Sequence, residues 1–166
     1  MKKIIGSLAF VLIAVLVACG PSQEKTNDIK LPLTAEGPFF AGPTSLMHEF
    51  KPDLKALMGD DAAKLKELKL KDISVNLPEG SPYSWYDFTS ASLVFVSDNS
   101  PMTSVAILNP IKSNGTNIVL TTSEEADLVE FFKEEKFTIL LDLDFIEDSY
   151  EDAINADLTM NLVFKY

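Results

Sequence analysis

The 166 residues are 46% hydrophobic and 23% charged, which excludes a disordered or fibrous chain and suits one domain with a tail. All 14 basic residues are lysine, against 25 Asp and Glu; the formal charge of −11 has the wrong sign for coating nucleic acid. One cysteine and one histidine exclude an internal disulfide and a four-cysteine zinc site.

The chain opens on Lys2 and Lys3, followed by an uninterrupted apolar and small-residue run over 4–17. Fourteen residues at helical rise span about 21 Å, short of the ~30 Å a membrane helix must cross, so the run predicts a signal-peptide core. Leu16-Val17-Ala18-Cys19 then resembles the lipobox of bacterial lipoproteins. That resemblance implies removal of residues 1–18, diacylglycerol on the Cys19 thiol, and acylation of the new amine. It also implies an outer-membrane address from Gly20, with the domain in the periplasm. Two or three acyl chains, at about 0.8 kcal/mol per buried methylene, would make the anchor effectively permanent.

Residues 19–30 are polar beyond Cys19, with Ile29 the single large apolar side chain, and predict a flexible tether to a domain over 31–166. Its first part, 31–66, is irregular and broken by Pro32, Gly37, Pro38, Gly42, Pro43 and Pro52. Residues 38–40 suit a short edge strand. A one-to-two-turn helix follows over 52–58, closed by Gly59, and a second short turn begins at Asp60.

From Leu68 the hydrophobic period changes to two. Leu68 and Leu70, then Ile73, Val75 and Leu77, alternate with polar residues, and the phase slip at Lys71-Asp72 predicts a β-bulge. Further strands are expected over 88–97, 104–109 and 116–121, separated by turn residues. Thr122 to Glu125 fits a capping box for a helix over about 123–133, with Leu128, Phe131 and Phe132 on one face. Ile139, Leu141, Leu143 and Phe145, and then the alternation from Ala156 to Tyr166, predict two closing strands.

Six short strands with clean alternation predict an antiparallel two-layer sandwich, the helix crossing over one end. Asp87-Phe88, Val105 to Leu108, the segment from Asp127 to Phe132 and the last strand resemble small lipoproteins of Bacteroidetes-type bacteria. That resemblance implies an immunoglobulin-like β-sandwich, with no assigned activity.

Few constellations carry chemistry. His48 is the only imidazole, no Gly-x-Ser-x-Gly elbow accompanies it, and Pro52 interrupts any His-Glu-x-x-His helix; a loop histidine is expected. Residues 124–157 hold 13 carboxylates against two lysines. Of these, Asp142, Asp144, Glu147 and Asp148 supply the hard oxygens calcium takes, although the EF-hand spacing is absent and a solvated acidic loop is the favoured reading. Paired carboxylates could also serve a glycosidase, but a loop on so small a domain offers little pocket to desolvate one. Tyr83, Trp85 and Tyr86 are either an exposed stacking platform for a sugar or partner, or a buried plug at one end of the core. The absence of arginine argues against phosphate clamps.

The sequence therefore predicts a non-enzymatic, lipid-anchored envelope protein. Its expected partners are the membrane through Cys19 and another envelope protein, not nucleic acid. A calcium-assisted ligand- or glycan-binding module is the alternative.

Overall fold

The computed structural model describes residues 22–166. The expected signal segment 1–18 and the expected lipidation residue Cys19 lie outside the described residues. Eight strands carry the fold: β1 (Glu24–Glu36), β2 (Gly42–Phe50), β3 (Glu67–Asn76), β4 (Phe88–Val96), β5 (Thr103–Leu108), β6 (Asn117–Thr122), β7 (Phe137–Phe145) and β8 (Ala153–Lys165). They pair, all antiparallel, in the order β1-β2-β7-β4-β5-β6-β3-β8, and β8 returns to β1.

The expected immunoglobulin-like sandwich is thus corrected to a closed eight-strand barrel. Alternation of apolar and polar residues is the same in both architectures; what differs is whether the edges pair. The closing strands are two that the expected sandwich lacked, β1 and β2. The predicted tether contributes residues 24–30 to β1, which runs the full length of β8 from Glu24 opposite Lys165 to Glu36 opposite Ala153. The Pro/Gly-punctuated segment contributes β2, which pairs with β7 from Gly42 opposite Phe145 to Phe50 opposite Phe137.

Eight strands leave an interior just wide enough for side chains to fill. Leu33, Leu46, Ile73, Leu93, Phe95, Leu141, Leu158 and Leu162 fill it, each with essentially no exposure. The outward positions of β8 include Asp157, Thr159, Asn161 and Lys165. An apolar interior with a polar exterior is the reverse of a lipid-embedded barrel, whose outer face is apolar. The phase slip in β3 coincides with a register shift between Leu70 and Asp72 against β8.

Helices close the barrel end at which β1 begins. The predicted 123–133 helix is shorter: α2, the second helix in chain order, spans Val129–Lys133, and no side chain caps it. Thr122 belongs to β6 instead of capping a helix. Asp127 takes the local role, its carboxylate accepting from the backbone N–H of Leu68 at 3.3 Å and of Val129 at 3.1 Å. Leu128, Phe131 and Phe132 are buried as their spacing requires. Phe132 meets Phe50, Phe137 and Phe164, and Phe131 meets Phe95.

The first helix, α1 (Leu54–Met58), is capped by Asp53 and continues into a 3-10 turn, Gly59–Lys64. It covers a sparse seam. β1 and β2 meet at Thr34 and Met47, and below that point Asn27 Nδ2 donates to the Leu57 carbonyl at 2.8 Å. Met58 is buried beneath the turn.

Candidate binding groove at the far end of the barrel

The registers place the loops over 37–41, 77–87, 109–116 and 146–152 at the far end, opposite the end at which β1 starts. Aromatic residues plug this end. Phe145 stacks on Phe39 at 5.3 Å between ring centroids and meets Phe88 edge-on at 4.6 Å and Tyr83 at 5.6 Å. Trp85 packs on Phe88, is fully buried, and donates its indole N–H to the Thr116 carbonyl at 2.8 Å.

Short local bonds then hold the loops above the plug. Ser84 and Asp87 form a reciprocal capping box around the 3-10 turn Trp85–Asp87. Phe39 and Ser149 exchange backbone hydrogen bonds, each at 2.8 Å. The Tyr83 hydroxyl and Ser149 Oγ lie 2.9 Å apart, and Asp148 accepts from the Ala41 N–H at 2.8 Å. Gly37 donates to the Asp152 carbonyl. A Cβ at Gly37 would lie 2.0 Å from the Glu151 carbonyl oxygen, so the two loops approach as closely as they do because residue 37 has none.

Between these loops lies a groove of about 400 Å³, with Tyr83, Tyr86, Phe145 and Ile146 as apolar lining and Asp87, Glu147, Asp148 and Glu151 as acidic lining. Tyr86 is 62% and Ile146 51% exposed, and Phe40 and Tyr150 stand exposed on the adjoining segments. No lysine lines the groove. Burial raises the Tyr83 hydroxyl above its ordinary value of 10.0; the bond with Ser149 opposes this, and the Glu151 and Asp87 carboxylates add to it.

The sequence-predicted residues separate here. Of the aromatic cluster, Tyr83 and Trp85 belong to the plug, and only Tyr86 offers a ring to solvent. The calcium grouping is not assembled. Asp142 and Asp144 lie on β7, where they accept from Ser45 Oγ and Thr89 Oγ1 on the flanking strands, each at 2.5 Å. Glu147 and Asp148 sit beyond them in the loop, and among the described residues no three His, Cys, Asp or Glu side chains come together as a metal site. Ligands on a strand face, already bonded to hydroxyls, do not converge as loop ligands do. His48 is in β2 rather than a loop, half-buried and opposite Ile139, toward the end away from the groove. Phe39, Phe145 and Ile146 escaped sequence reasoning, because they reach Tyr83 only through long-range pairing, Phe88 opposite Phe145 in β4 and β7 and Phe39 opposite Ser149.

No protein-family model matches the chain, and no curated protein matches it. Among solved structures, a chain of a decameric BFDV capsid protein is similar at a TM-score of 0.29 and 10% identity, covering 83% of this chain and 99% of its own. Likeness at that level carries no argument here.

Proposed function

We propose that the chain is a lipid-anchored bacterial envelope protein acting as a non-enzymatic interaction module, with Cys19 as the anchor and the far-end groove as the contact surface. The observation that carries this reading is the separation of the two. β1 starts at Glu24, so at most about 18 Å of extended chain joins it to Cys19. The 13 residues of β1 rise about 43 Å along the strand, roughly 30 Å along a tilted barrel axis. An anchor at Cys19 therefore stays at the end where β1 begins, and the groove points away from the bilayer.

Two further observations support the binding role over a catalytic one. The single imidazole, His48, sits toward the opposite end of β2 from the groove. The groove leaves the Tyr86 ring and the Ile146 side chain in water above the buried Tyr83 and Phe145, an exposed aromatic and aliphatic pair of the kind contact surfaces carry. Gly20 after the lipobox supports an outer-membrane location, and the proposal puts the barrel on the periplasmic side.

The anchor is tested by metabolic palmitate labelling and fractionation of the Cys19→Ala variant. Loss of both label and membrane retention is expected; a variant that stays in the membrane fraction removes the anchor. Crosslinking in intact cells tests the module: a stoichiometric envelope partner is expected, and recovery of abundant neighbours alone argues against it.

A further inference from the structure

We propose that the groove receives a lysine- or arginine-bearing extended segment of a partner protein; this rests on the reading of the chain as an anchored interaction module. The argument begins with how charge is distributed along the barrel. All seven ion pairs among the described residues involve Lys51, Lys64, Lys69, Lys133, Lys136 or Lys165, each at or near the end where β1 starts. In the far-end loops the one lysine is Lys112, which does not line the groove. Glu147 and Glu151 line it with carboxylates that make no ion pair or side-chain hydrogen bond among the described residues.

The apolar surface stands beside those carboxylates. Tyr86 and Ile146 both stand exposed there, and the Ile146 N–H donates to the Asp87 carbonyl at 3.0 Å, fixing one loop against the other. A lysine stem laid across the Tyr86 ring would keep its methylenes on apolar surface and bring its ammonium to Glu147 or Glu151. The same field repels acidic segments, which gives selectivity by sign. Access is free, since the segment leading to Cys19 leaves from the opposite end.

The test is fluorescence anisotropy of labelled octalysine against the full-length chain in a neutral detergent at low salt, with melting temperature as a check on folding. Saturable binding is expected, weakened about tenfold in Glu147→Lys/Glu151→Lys and several-fold in Tyr86→Ala. Glu124→Lys/Glu125→Lys makes the same change in net charge on exposed residues at the other end and is expected to bind nearly as the parent does. Equal weakening by both pairs would mean general attraction to an acidic protein and overturns the proposal, as does Tyr86→Ala binding unchanged. Binding of a neutral oligosaccharide in place of octalysine overturns it in favour of a glycan. A crosslinked envelope partner recovered from cells, with octalysine not bound, leaves the anchored module standing and removes only its cationic partner.

Discussion

Trp85 is the sole tryptophan of the chain and reports on the far-end plug without interference. Its indole is shielded from solvent, so a blue-shifted emission that resists iodide quenching is expected; ready quenching would place the ring outside the core. Trp85→Phe keeps most of the ring but loses the bond to the Thr116 carbonyl, which still accepts from the Leu77 N–H at 2.9 Å. The expected cost from this bond is about 0.5–1.5 kcal/mol in urea unfolding, the net range for one lost hydrogen bond that leaves no partner orphaned. At the other end, Glu134 accepts from Ser97, Ser100 and Asn99, and the Ser100 and Ser97 hydroxyls first among these hold its carboxyl below the ordinary 4.5. A carboxyl lowered in the folded state stabilises above its unfolded value, and that stability is lost as pH falls through the folded value. The melting temperature is therefore expected to fall more steeply below about pH 4.5 in the parent than in Glu134→Gln. Parallel curves would show that the three bonds do not persist in solution.

Among the elements, the period-two strands β3 to β8 were legible because each places apolar residues inward and polar residues outward along most of its length. β1 was not, since Asp28, Lys30 and Pro32 face outward and its inward residues over 27–31 are only half-buried. A strand so polar reads as a tether until its partner is known, and that partner, β8, begins more than a hundred residues later. The same distance hid the groove. Tyr86 and the 147–151 carboxylates were visible as separate features, but the pairing of β4 with β7 that sets Phe88 opposite Phe145 and brings them together leaves no local trace. Deleting residues 24–32 discriminates directly between tether and strand. Loss of the cooperative thermal transition is expected, because the β8 edge is uncovered and the barrel opened; an unchanged melting temperature would restore the tether. Gly37→Ala is expected to destabilise the 149–152 loop, measured as faster amide exchange there than in the rest of the barrel.

Taken whole, the molecule is polarised from end to end. One end holds the start of β1, the paired lysines and the two short helices; the other holds an aromatic plug beneath an acidic, partly apolar groove. Such polarity suits a protein fixed to a surface through one end and recognising something with the other, and it makes the position of any partner contact a strong test. The most direct measurement is photocrosslinking in living cells from p-benzoylphenylalanine placed at Tyr86 in the groove, or at the exposed Met102 at the end where β1 begins. The account expects one discrete adduct from position 86, joined to a lysine- or arginine-bearing segment of an envelope protein, and none of that size from position 102. The same adducts from both positions, or none from position 86, would contradict it.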